Sequence, residues 1–464
     1  MSDSAINLRS FVPAEQVRAK GRALRQRVPV DTRDRAATGG HRPDVLDFVE
    51  ASNAGRLAHL IPLRIGRMIT SPFAFYRGTA GLMGADLANG PNSGLTAQLC
   101  GDAHAANFGL YGTARGEIIM DINDFDETIA GPWEWDLERL AASLVLAGRT
   151  AGASEDDCRT AARDAARSYR LAVDALATMP FMESWNALPD KSVIARTQAE
   201  GLIDDFEKAA EKARKNTSAK VVAKWTEHLE DHETGIREHR FVSDPPILTA
   251  VDEQVAERVI SGLERYAETL RESRRNLLDR FAVSDIAFRI VGTGSVGLHT
   301  YVALLHGNEG ESLVLQVKQA NSAALAPYLP AQLVRHEGER IVRGTRLVQS
   351  DTDILLGWTS LSPADDGIEL PFIVRQFRNF KGKIDPTELP ASDLDDYGRL
   401  AGALLARAHS RSLDPRLPAG YLDGDERFDE AVAAFAVRYA DRAEADHAEL
   451  VTAVRAGRIA AEEA

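Results

Sequence analysis

Cysteine is almost missing: the 464 residues hold two, Cys100 and Cys158. Two cysteines build neither a disulfide framework nor a cysteine zinc cluster, and a reducing, cytoplasmic setting is the expectation. Positive charge is also short. Lys and Arg number 55 against 69 Asp and Glu, a formal net charge of −14. That speaks against a nucleic-acid partner, whose binding usually needs a basic footprint. No run of about 18 apolar residues occurs, so no membrane span or membrane partner is expected. The opening segment MSDSAINLRSF lacks the basic-then-apolar order of a signal peptide. Internal repeats and long low-complexity tracts are absent, and nothing in the sequence fixes an oligomeric state.

What is present is enough chain for two or more cores, with a texture that changes along it. Residues 14–70 read as mostly helical, with a Gly/Pro/Arg-rich break near 37–43. Residues 71–78 (SPFAFYRG) read as loop or strand. LTAQLC then reads as a short strand, GDAHAANFG as a loop, and GEIIMDINDFDE as a strand running into a loop. From Pro132 an apolar stripe at three-to-four spacing predicts a helix, and 154–280 reads as a long charged helical region. From Ile286 the runs IAFRIVG, LHTYVALLHG and SLVLQVKQA predict three strands separated by Gly-rich turns. A helix over about 329–349, two strands (DILLGWTSL and LPFIVRQF) and further helices follow.

Asp102, Asn107 and Asp124 fall on loops that end strands, where a rigid scaffold usually places chemistry. Carboxylates and an amide oxygen are hard ligands suited to Mg²⁺, which takes few protein oxygens together with substrate phosphates. GDAHAANFG resembles the catalytic loop of aminoglycoside-phosphotransferase-like kinases (H-G-D-x-x-x-x-N), itself similar to the protein-kinase loop H-R-D-x-x-x-x-N. Asp102 and Asn107 match its five-residue spacing. NDFDE looks like the metal-binding D-F-G element, with Asp124 in the aspartate's place, Asp126 the second choice and Asp121 a third. Asp136, in the Trp135–Leu137 stretch, resembles the aspartate that buttresses this loop from a following helix. Cys100 stands where the family usually has His, and Asp126 where protein kinases have Gly. His104 would contact substrate or orient the loop; Arg77 would bind an anionic group or serve structurally.

Gly292, Gly294 and Gly297 form a G-x-G-x-x-G whose following residues are strand-like. It is therefore a hairpin rather than the helix-opening dinucleotide fingerprint or a P-loop. A glycine-rich hairpin is what protein kinases lay over ATP phosphates. Lys318, one hairpin later, looks like the kinase lysine that contacts the α- and β-phosphates. The next predicted helix offers Glu337, or alternatively Glu339, as its partner; Glu337 is preferred.

Strands and one helix in the order β-β-β-α-β-β resemble a kinase small lobe placed after the catalytic loop, as a circular permutation would produce. The resemblance implies an α+β, bilobal protein-kinase-like fold: residues 1–280 as a large helical lobe, 285–378 as a small nucleotide-binding lobe, and 390–464 as helices returning to the large one. It also implies an ATP-dependent phosphotransferase using ATP and Mg²⁺. In that role Asp102, Lys318 and Glu337 are catalytic; Asn107, Asp124 and Asp126 hold metal; and Gly292, Gly294 and Gly297 cover the phosphates. The acceptor expected is a small-molecule hydroxyl. AMP transfer and a nucleotide-binding pseudokinase-like module are the alternatives. Through SPFAFYRG, GDAHAANFG, DINDFDE, WEWDLERLAASL, HEGERIVRG and LLARAHSR the chain also resembles, over most of 60–450, an uncharacterised bacterial family.

Overall fold

The computed structural model describes residues 11–35, 42–186, 189, 192–230, 237–290, 292, 294–364 and 367–462. The break expected near 37–43 lies largely outside them. The class is mixed α+β: a helical part and one small antiparallel sheet.

The helical part centres on helices Glu134–Ala151, Glu155–Thr178, Leu394–Ser410 and Arg427–Arg455. Their facing sides are rich in alanine and glycine, which lets backbones approach closely. A Cβ at Gly398 or Gly402 would lie 2.5 or 2.1 Å from the carbonyl oxygens of Ala161 and Ala165. Helix Glu155–Thr178 starts at a reciprocal Ser154–Asp157 capping box. Trp133, fully buried, stacks on Tyr169 of this bundle at 5.0 Å. Two short ladders precede it: Thr96–Leu99 with Ile129–Pro132, and Phe108–Gly112 with Ile118–Ile122. They bring residues 100–107 and 121–128 side by side.

The sheet runs Gly357–Leu361, Leu370–Gln376, Ser312–Gln319, Thr300–His306, Ala282–Arg289, Leu248–Ala250, all antiparallel. Side chains alternate faces along a strand, so strand Ser312–Gln319 serves two cores. Leu315 and Val317 pack with Val259, Leu263 and Tyr266 of helix Glu253–Ala267. Val314 packs with Val221 and Val222 of helix Ser218–Trp225.

Four local expectations change. PFAFY is a helix, Pro72–Tyr76, because Ser71 caps it by accepting the Ala74 N–H at 3.1 Å and proline suits the first turn. The charged 154–280 region contains a hairpin, Thr226–Glu230 with Arg237–Phe241. Strand Leu248–Ala250 and helix Glu253–Ala267 pack with the sheet although they precede residue 285. The helix expected over 329–349 begins only at Glu337, where His336 caps it through Nδ1.

Candidate functional site

The loop after strand Thr96–Leu99 is fixed first by Asp136. Its carboxylate, 1% exposed in the first turn of helix Glu134–Ala151, accepts the Cys100 N–H at 2.8 Å and the Gly101 N–H at 3.1 Å. His409 Nε2 lies 3.3 Å away. Gly101 has φ +83°, and a Cβ there would lie 2.0 Å from the Glu127 carbonyl oxygen, so this loop presses directly on the 124–127 segment. Asn107 ties the two together: its amide nitrogen donates to the carbonyls of Asp102 at 3.0 Å and Asp124 at 3.1 Å.

Asp102 stands at the turn with one carboxylate oxygen held by Arg139 Nε. Arg139 sits one helical turn after Asp136, on the same helix. It also donates to the Tyr76 carbonyl at 2.7 Å and lies over the Tyr76 ring at 4.2 Å. Burial works against its charge, but Asp102 outweighs that and holds the guanidinium firmly protonated. His104 Nε2 is 3.8 Å from the other Asp102 oxygen, and its buried Nδ1 has no hydrogen-bond partner. Burial pushes His104 down to about 4, so it is neutral near pH 7.

The four acids of 121–127 have different surroundings. Asp121 is fully buried and committed: it accepts from Arg407 at 2.7 Å, Ser350 Oγ at 2.7 Å and Ser350 N–H at 3.0 Å. Asp126 bonds Lys318 Nζ. Burial would raise the Asp124 carboxyl, but the charges of Lys318 and Arg375 prevail and hold it at about 2. Burial and the neighbouring Asp124 raise Asp126. Glu127 is pushed up to about 7, chiefly by burial, while its carboxylate accepts the Ala324 N–H at 2.5 Å.

Lys318 is 2% exposed on strand Ser312–Gln319. It was expected to pair with Glu337, and the structure forms a different pair. Glu337 is drawn to Arg340, three residues on, and to Ser322 Oγ at 2.9 Å. Arg340 in turn donates to the carbonyls of Asp126 and Asn321, each at 2.8 Å, and of Thr128 at 2.5 Å. Glu337 thus steadies the arginine that holds the acid loop, and Asp126 takes the lysine. Glu339 pairs with the surface Arg343, at 3.2 Å.

The glycine turn lies across the same opening. Gly292 and Gly297 have φ of +63° and +88°, which glycine alone adopts readily. The carbonyls of the turn are taken by the N-terminal segment: Gly292 by Arg67, Val296 by Arg56 at 2.5 Å, and Gly297 by the Leu57 N–H at 2.8 Å. Gly294 packs beside the Arg77 carbonyl.

Together these groups line a cleft of about 610 Å³, in the range of small-molecule sites. Asp102, His104, Asn107, Asp124, Asp126, Arg77, Gly292 and Gly294 all face it. Gly297 lies beside it against Arg56; Lys318 reaches it through Asp126; Asp136 and Glu337 act from behind. Sequence reading missed Arg139, Arg340, Glu127, Arg56 and Arg64. Only Arg139 carried a local signal, the three-residue step from Asp136 that puts both on one helix face. Among the described residues no three His, Cys, Asp or Glu side chains converge into a metal cage of their own. Asp124 and the Asn107 amide oxygen are hard donors that fit a Mg²⁺ completed by ligand oxygens.

No curated protein and no solved structure was found to match the chain. One family model covers residues 56–453, and the chain therefore belongs to the family DUF2252, described as an uncharacterised protein conserved in bacteria.

Proposed function

We propose that this protein is an ATP-dependent phosphotransferase whose site is arranged as in protein kinases and aminoglycoside-phosphotransferase-like enzymes, with its two halves in reversed chain order. One observation carries the reading: Lys318 meets Asp126 across 192 residues of sequence, and its charge also holds Asp124 ionised. The motif with the acids and the glycine turn, separate in sequence, line one cleft, and the lysine reaches it through Asp126. A lysine, two acids, an amide and a glycine turn are what phosphoryl transfer asks for, since it depends on positioning and charge neutralisation.

In this reading Asp102, oriented by Arg139, accepts the proton of an acceptor hydroxyl. The hydroxyl oxygen bonds to the γ-phosphorus while the bond to the bridging oxygen breaks and ADP leaves. Lys318, held by Asp126 in the resting site, turns to the α- and β-phosphates. Backbone N–H groups of the glycine turn cover the phosphates. Asp124 and Asn107 would hold Mg²⁺, which when bound neutralises charge on the phosphates. Asp136 keeps the Asp102 loop in place.

AMP transfer stays as a second reading on a specific observation. A small cavity beneath strand Leu370–Gln376 shares Asp126 with the cleft and carries two cations, Arg375 and Lys381, among apolar side chains such as Phe125, Ile341, Leu356 and Ile373. Arg375 Nε donates to Gln316 at 2.9 Å. The charge of Arg375 and then burial lower Lys381 to about 7. In a reversed nucleotide pose these two cations would meet phosphates.

Thermal unfolding with and without Mg-ATP, on wild type, Lys318→Ala and Asp124→Asn, tests the shared reading. Nucleotide at 100 times its Kd should add about 2.7 kcal/mol to the wild type and less to both variants. No response to any nucleotide with Mg²⁺ or Mn²⁺ sinks it. Product mass then separates phosphate from AMP.

A further inference from the structure

Three arginines on the N-terminal side of the cleft form no ion pair, although Glu127 and Asp126 act on Arg56 through their charge. Arg56, Arg64 and Arg77 all line it, and among the described residues none forms an ion pair with a carboxylate. Arg64 is 1% exposed. It donates to Asn53 Oδ1 at 2.7 Å and the Gly78 carbonyl at 3.4 Å, and its Nε has no partner. Arg77 Nε is likewise buried without one. Arg56 spends its hydrogen bonds on the carbonyls of Ser52 and Val296. His104 Nδ1, beside Asp102, is a third buried nitrogen with no partner in the same cleft.

Cations placed in a partly dry cleft without anions are costly, and their usual compensation is an anionic ligand. The cleft carboxylates supply it only in part, Glu127 and Asp126 acting on Arg56 without a hydrogen bond. Asp102 is bonded by Arg139 and Asp126 by Lys318. Arg64 shows the imbalance: burial and then the adjacent Arg56 charge push its guanidinium down to about 9.

Resting on the phosphotransferase reading, we propose that Arg56, Arg64 and Arg77 bind the acceptor, and that the acceptor is a small alcohol already carrying a phosphate group. Three guanidinium groups match a phosphate dianion better than a single carboxylate charge, and arginine favours bidentate phosphate contacts. The anchored phosphate delivers the hydroxyl to Asp102. Transfer then joins that oxygen to the γ-phosphorus, releases ADP and leaves the hydroxyl proton on Asp102, giving a bisphosphate.

The test is thermal stabilisation by inorganic phosphate at constant ionic strength against chloride. It is run on the full chain, with and without a saturating non-hydrolysable Mg-ATP analogue, on wild type and Arg77→Gln. Arg56→Gln is a second variant. Phosphate is expected to stabilise the analogue-bound wild type saturably. Arg77→Gln should weaken phosphate about tenfold, the loss of a charge-assisted pair, while changing the analogue's affinity little. Phosphate that binds only without the analogue and is displaced by it would make the arginines part of the nucleotide site and overturn the assignment. Acetate acting as strongly as phosphate would overturn the phosphate class, and no anion-specific effect in either state would overturn the site. Phosphate binding through Arg77 with no response to the analogue refutes the phosphotransferase reading while the anion site stands.

Discussion

Glu127→Gln offers a quantitative check on the electrostatics of the cleft. Glutamine keeps the oxygen that accepts the Ala324 N–H and removes the ionisation. The wild-type carboxyl sits at about 7 in the fold against an ordinary 4.5. Between those values the unfolded chain has lost its proton and the folded protein has kept it. This group's stabilisation is therefore fully present below about pH 4.5 and is lost as pH rises through about 7. At roughly 1.4 kcal/mol per tenfold change in proton affinity, the whole shift is worth about 3 kcal/mol. Water in the cleft screens a half-buried carboxyl, which brings the expectation to about 2 to 3 kcal/mol. His104 acts in the opposite sense: its folded value of about 4 lies below 6.5, so stability from it rises with pH over that interval. The two slopes oppose each other in the wild type, and only the difference between variant and wild type isolates Glu127. Urea unfolding from pH 4.5 to 8 should show Glu127→Gln gaining about 2 to 3 kcal/mol on the wild type across the range. Parallel curves would refute the reasoning.

Three further substitutions probe the scaffold. Arg407→Met leaves the fully buried Asp121 carboxylate with Ser350 and the Ile122 N–H but no cation, and should cost about 3 to 5 kcal/mol in urea unfolding, partly recovered by adding Asp121→Asn. Gly101→Ala and Gly116→Ala start from nearly equal φ, +83° and +81°, but only the first meets backbone, at 2.0 Å. Calorimetry should find about 1 to 2 kcal/mol lost at 116 and clearly more at 101.

Much of the candidate site could be read from sequence because its groups sit in short runs of small and polar residues with fixed spacing. Asp102, Asn107 and Asp124 belong to one such stretch, and Gly292, Gly294 and Lys318 to another. That the two share a cleft is a long-range fact that no local pattern encodes. The lysine's partner was misplaced for the same reason. Glu337 competes for Arg340 on its own helix, and Asp126 reaches Lys318 only through folding. The arginines were hidden because an arginine on a helix usually reads as a solvated charge, and only burial separates Arg64 from surface residues. In the fold, the strands of the hairpin Thr226–Glu230 with Arg237–Phe241 are half charged residues, so composition pointed to a helix face. The Ser-Pro start of Pro72–Tyr76 was a legible helix signal outweighed by its aromatic content.

The clamp on the glycine turn has a consequence for biosynthesis. Arg67 and Arg56 reach carbonyls 225 and 240 residues further along the chain. At ordinary translation rates the segment carrying these arginines emerges roughly 10 to 50 s before the turn it must hold. No local pairing completes the cleft in the meantime. Contacts of such sequence separation fold slowly and leave apolar surface open while they wait. The nascent protein is therefore a natural client for holding chaperones until the turn emerges and closes that side of the cleft.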